Sequence, residues 1–270
     1  MGFLNPPWRQ RIGFLGGSVI GMLGGLIGLG GAEFRLPLLV GVFRIPSLEA
    51  VILNKAMSLV VVFAALLFRS KTVSWDTVLG HHAIILNILA GSLVGAWWAA
   101  GKAMALSRKR LDRIIMILLA SLAILMLLEP WLGFAEGSHA LIHPGLIRIA
   151  VGALAGFGIG TVAALLGVAG GELLIPTLVL LYGLDAKTAG SLSLAVSLPT
   201  MVVGFTRYRD SLAFSVLARE RALLTWMASG SMLGAAIGSL LLGWVSAKAL
   251  IFSLGILLLV SAIKTFKRNS

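Results

Sequence analysis

Two carboxylates, Glu33 and Glu172, stand in apolar surroundings at matching places in the chain, in GLGGAEFRLP (Gly28 to Pro37) and GVAGGELLIP (Gly167 to Pro176). A charge at the centre of a bilayer costs about 2.5 to 3.5 kcal/mol on insertion scales, so a symmetric pair of acids there suits proton coupling. The same carboxylates could instead cap the N-termini of their own helices, and the two roles can coexist. Lys55, within LNKAMSLVVV, is the best anion-binding side chain, and Leu194 stands at its matching place. Arg35 is the next cation, unless it only pairs with Glu33 or snorkels to an interface. Asn54 and Ser58 match Ser193 and Ser197 at i, i+4 spacing, so each pair shares a helix face and could donate hydrogen bonds to sulfonate or carboxylate oxygens. Serine in membrane helices also serves as interhelical glue. Gly30, Gly31, Gly170 and Gly171 would leave irregular backbone whose free N–H groups, at the positive end of a short helix, favour an anion. The glycines before Gly28 suit close helix packing instead.

Other chemistries find little support. His81 and His82 begin a helix near a surface, while His139 and His143 have metal-like spacing without a carboxylate pattern to complete a site. With no Cys there is neither a disulfide nor a thiolate metal centre. P-loop, HExxH and GxSxG patterns are missing, which argues against ATP-driven transport by this chain alone and against hydrolysis. No cofactor, no metal and no enzymatic activity are expected.

The elements that must position these residues are membrane helices. Hydrophobic residues make up 59% of the chain and charged ones 12%, with a mean hydropathy of +1.02, far beyond a soluble domain. Uncharged runs such as Ile12 to Ala32, Ala83 to Gly101 and Ile149 to Gly171 are long enough to cross about 30 Å of hydrocarbon. The net charge of +12 therefore reads as a topology signal rather than as nucleic-acid binding.

Adding 139 to a residue number in the first half finds its counterpart in the second. Between Gly28 and Leu59, 11 of 32 paired positions are identical, where such an apolar composition would give roughly three by chance. A duplicated unit follows. Each half reads as five segments: near Arg11 to Leu29, Phe34 to Phe43, Ala50 to Phe68, Val78 to Ala100 and Leu111 to Leu128, and again near Ile147 to Val168, Leu173 to Tyr182, Thr188 to Thr206, Ala222 to Gly243 and Ala249 to Lys264. The second segment of each half is too short to span, and Pro37 and Pro176 are expected early in it, where a missing N–H costs little. Repeat one occupies residues 1–128, an extracytoplasmic linker 129–146 and repeat two 147–270. With the N-terminus cytoplasmic and each long and short helix pair returning to its starting side, 15 of the 22 Lys and Arg face the cytoplasm, the side basic loops prefer. Each half then crosses an odd number of times. The expected fold is an all-α integral membrane protein built from two inverted-topology repeats of five segments, each with one short interrupted helix.

The two glycine breaks, each followed by Pro and an apolar run, resemble the TauE/SafE sulfite exporter family. GVAGGELLIPTLVLLYGLDAKTAGSLSLAVSLPT (Gly167 to Thr200) carries the likeness most clearly, the first half being a more diverged copy. The resemblance implies a multi-pass carrier of the bacterial or archaeal cytoplasmic (inner) membrane that moves small anions such as sulfite, sulfonates or related carboxylates. Glu33 and Glu172 depart from it, standing where many relatives carry another glycine. The expected function is secondary transport of a small anion by alternating access, with Glu33 and Glu172 coupling to protons or shaping the cavity. An anion channel and a non-transport scaffold or enzyme subunit are the rivals. Expected partners are the anion and the lipid bilayer, with no nucleic acid. The small-residue faces at Gly91, Gly95, Gly230 and Gly234 serve contacts within one chain or in a homodimer equally well.

Overall fold

The computed structural model describes residues 7–27, 31–69, 75–132, 140, 142–240, 255, 256, 258–260 and 263, and among these there is no strand. Its helices are α1 (Pro7–Ile27), α2 (Ala32–Gly41), α3 (Ser47–Arg69), α4 (Trp75–Gly80), α5 (His82–Ala105), α6 (Arg108–Leu132), α7 (Leu146–Leu166), α8 (Gly171–Tyr182), α9 (Ala186–Tyr208), α10 (Val216–Arg219) and α11 (Arg221–Leu240). Most of the last expected segment, Ala249 to Lys264, lies outside the described residues. The fourth segment differs from expectation: a turn at His81 divides it, and α5 runs through Gly101 to Ala105. A lone glycine in a long apolar helix costs only about 1 kcal/mol, so Gly101 does not stop it.

Three described stretches, His82–Ala105, Leu146–Leu166 and Thr188–Tyr208, are long and apolar enough to cross a membrane. Leu15, Leu86, Val94, Leu154, Leu233 and Ile237 point outward and are exposed, while Glu33, Arg35, Asn54, Lys55, Ser58 and Glu172 are buried. Apolar outside and polar inside is the arrangement expected where the surroundings are hydrocarbon.

Two helix pairs form the frame, α1 against α11 and α5 against α7. Both rest on glycines that let backbones touch. Cβ atoms on Gly17 and Gly21 would strike the carbonyl oxygens of Met227 and Ser231, and on Gly156 and Gly160 those of Ile88 and Ser92. Every one of these contacts maps onto another when 139 is added on one side and subtracted on the other. Gly230 and Gly234 on the Phe14 and Ser18 carbonyls, and Gly91 and Gly95 on those of Ala153 and Phe157, obey the same exchange. A two-fold correspondence between the halves is thus written into their contacts.

The short helices fold back beside the long ones. The Arg9 guanidinium lies 5.7 Å from the Phe43 ring centre and that of Arg148 lies 5.4 Å from Tyr182, again 139 residues apart. Each pair joins the start of a long helix to the end of the short one that follows, so α1–α2 and α7–α8 fold back as hairpins whose short helices start inside the protein.

Gly17→Leu and Gly156→Leu should each lower stability by roughly 1 to 3 kcal/mol through overpacking, and by similar amounts because the sites correspond. Gly158→Ala, which has nothing within 4 Å of its Cβ position, should stay within about 0.5 kcal/mol. Melting in detergent measures all three.

Candidate functional site

The hairpin tips bring the chemistry together. α2 contains 10 residues and α8 contains 12, about 15 and 18 Å of helix against about 30 Å of hydrocarbon. Both start deep in the protein after a left-handed glycine, Gly31 at φ +66 and Gly170 at φ +81, a conformation that other residues adopt only with strain. Space is short as well: a Cβ on Gly31 would come 2.6 Å from the Ile20 carbonyl oxygen. No side chain caps either helix at these glycines, and Gly171 opens α8 as a buried residue. The third N–H of each helix turns back onto the glycine carbonyl, Phe34 on Gly31 at 3.3 Å and Leu173 on Gly170 at 3.1 Å, which leaves the first two without an intrahelical acceptor. Gly30, with Gly28, lies outside the described residues.

Pro37 and Pro176 sit later in their helices than expected. Each is the sixth residue rather than a member of the first turn, so each removes the bond that the Glu33 or Glu172 carbonyl would otherwise accept. N–H groups and a carbonyl without the usual helical partner therefore occur within two turns of each other in both short helices.

Asn54 ties the tips together. Its amide nitrogen donates to the Ala32 carbonyl at 2.9 Å and to the Leu166 carbonyl at 3.0 Å, joining the start of α2 to the end of α7. Both amide hydrogens are thereby used, and the Asn54 oxygen has no donor among the described residues. Ser58, one turn on, donates to the Gly167 carbonyl at 3.3 Å.

Arg35 is fully buried and does not snorkel. Its Nη2 donates to Ser58 Oγ at 2.7 Å and its Nη1 to Ser231 Oγ at 3.5 Å, while Nε has no partner among the described residues. Among the described residues it makes no ion pair within 4.0 Å, with Glu33 or any other acid, although Glu33 is near enough to interact with its charge. The Glu33 and Glu172 carboxyl groups lie against one another, within reach of a shared hydrogen bond should one carry a proton. Both oxygens of Glu33 and Oε1 of Glu172 lack any donor among the described residues. Two acids and one guanidinium thus meet at the junction of the tips.

The family described as Sulfite exporter TauE/SafE matches residues 12–265, both tips included. The chain belongs to that family. No curated protein and no solved structure matches it. As a TauE/SafE member the chain is a multi-pass membrane protein of a transporter family, one whose name points to sulfur anions.

Within this TauE/SafE protein the expected site residues divide into two groups. Glu33, Arg35, Asn54, Ser58, Gly31, Gly170, Gly171 and Glu172 gather at the tips. Lys55 is apart from them: its ammonium donates to the Ala163 carbonyl at 3.3 Å and lies 6.0 Å from the Tyr208 ring centre, beside Gly204 of α9. Ser193 bonds Gly190 of its own helix at 2.8 Å, and Ser197 Oγ has no partner among the described residues. The structure adds Ser231 on α11 beside Arg35 and Tyr208 beneath Lys55. In the sequence Ser231 lies 139 positions after Ser92 and so falls in with the repeat, which says nothing about Arg35. Leu174 stands where the repeat would place a second arginine.

Asn54→Ala should cost on the order of 2 to 4 kcal/mol, since two buried carbonyls lose their donors. Ser193→Ala, whose hydroxyl bonds only within α9 among the described residues, should cost under about 1 kcal/mol. Detergent melting curves distinguish the two.

Proposed function

We propose that this protein is a secondary transporter of a small anion, sulfite or an organosulfonate, held at the junction of the hairpin tips and moved by alternating access. Arg35 carries this reading. Buried, with no acid within 4.0 Å among the described residues and with Nε unpartnered, its guanidinium keeps a donor for a mobile anion beside the charge of Glu33. Ser58 and Ser231 hold its fork in place, and the uncapped N–H groups that follow Gly31 and Gly170 supply further donors to oxyanion oxygens. Glu33 and Glu172 are the coupling acids.

Alternating access rests on two inverted repeats facing each other about a pseudo-two-fold axis, with residues 129–146 as the extracytoplasmic link. The exchanged glycine contacts support the two-fold. Its inversion is supported by α5: Asn87 near its start donates to the Tyr182 hydroxyl at 2.8 Å, at the base of the α7–α8 hairpin. Just beyond its far end, Asp112 accepts from Ser47, close to the base of α1–α2. The part of α5 from Asn87 to Ala105, about 27 Å of helix, separates the two bases. Arg9 with Glu220 at 3.2 Å, and Arg219 with Glu49, belong to the α1–α2 end. That end carries the basic loops assigned to the cytoplasm, which supports a cytoplasmic N-terminus in an inner membrane.

A thermal-shift panel of sulfite, sulfate, thiosulfate, taurine, sulfoacetate and simple carboxylates should find at least one stabilising anion. Arg35→Ala should weaken its binding roughly tenfold to a hundredfold, the worth of a hydrogen bond to a charged group. Purified protein in liposomes should show saturable counterflow of the same anion. No stabilising anion, or equal binding by Arg35→Ala, would remove the proposal.

A further inference from the structure

We infer that Glu33, Glu172 and Arg35 form one charge-balanced cluster in which a proton and the anion bind together, so that this chain carries its anion by co-transport with protons. The inference rests on the anion-transport reading above and adds how the ion is coupled.

All three side chains are at least nine-tenths buried, and the two carboxyl groups face one another with Arg35 close by. Other charged groups on the helices packed around them are engaged elsewhere. Arg9 is tied to Glu220 and Phe43, Glu49 to Arg219, Arg148 to Tyr182 and Arg207 to Asp210. Arg11 is exposed, and the Lys55 ammonium donates to the Ala163 carbonyl at 3.3 Å.

Burial makes a net charge in this cluster expensive, so the populated states are the neutral ones. With no anion bound, one proton shared by the two carboxyl groups balances Arg35 against the remaining carboxylate. A monovalent anion arriving at Arg35 adds one negative charge, and balance returns only when the second carboxyl group also takes a proton. That proton also removes the competitor for the guanidinium. Anion and proton therefore favour each other by the same factor, whichever binds first. Each turn of the cycle releases both on the other side, leaving the cluster with its original single proton. With an inward proton gradient such a cycle drives uptake.

The test uses methanesulfonate, or the panel's tightest sulfonate, because its charge does not change between about pH 5 and 8, whereas sulfite titrates within that range itself. Binding to the purified full-length protein in weakly buffered detergent solution, followed with a pH dye, should take up about one proton per anion. Affinity should fall by up to tenfold per pH unit as pH rises through the coupled range. In the Glu33→Gln and Glu172→Gln double variant, binding should become independent of pH and take up no proton. Anion binding with no proton uptake, with proton release, or with a requirement for sodium at constant pH would overturn the co-transport inference and leave the anion site standing. Failure of every anion to bind would overturn both readings.

Discussion

The centre of this protein depends on one amide. Asn54 reaches from the middle of α3 to the Ala32 carbonyl at the start of α2 and to the Leu166 carbonyl at the end of α7. In water those two carbonyls would be solvated; deep among apolar helices they have only what the protein provides. Meeting both with one side chain fixes the separation of two chain breaks whose bridged carbonyls, Ala32 and Leu166, lie 134 residues apart in sequence. Arg35, Glu33 and Glu172 all take their positions from those breaks.

The frame that allows this contact is built from absent side chains. α1 lies on α11 and α5 on α7 closely enough that a methyl group at Gly17, Gly21, Gly156 or Gly160 would overlap a backbone carbonyl. In lipid, where burying apolar surface gives helices no reason to associate, such close approach is a principal source of packing energy. The matched glycines keep the hairpin tips opposite one another, and the exposed leucines and valines outside them satisfy the hydrocarbon.

Much of this architecture was legible in the sequence because membrane physics writes it in long runs. Uncharged stretches, the offset of 139 and the two glycine breaks gave the helices, the repeat and the short segments. The tight glycines before Gly28 read correctly as packing positions. Details of the site were harder to read, because periodicity gives the face of a helix but not which neighbour that face meets. Lys55 and Ser58 are three residues apart on α3, yet Lys55 turns toward α7 and α9 while Ser58 meets Arg35. Asn54 looked like a ligand donor and spends its donors on backbone. Ser231 reaches Arg35 across 196 positions, a contact that only tertiary structure reveals.

The duplication is faithful in backbone contacts and unfaithful in charge. Leu174 and Leu194 replace the two buried cations of the first half, so the guanidinium belongs to one hairpin alone. When two such halves trade places, the geometry of one end state mirrors the other, but the electrostatic field does not. In the alternating-access cycle proposed above, such a protein has an inherent polarity: its solute is gripped unequally at the two faces, and flux under equal and opposite gradients is rectified by cations that only one half carries.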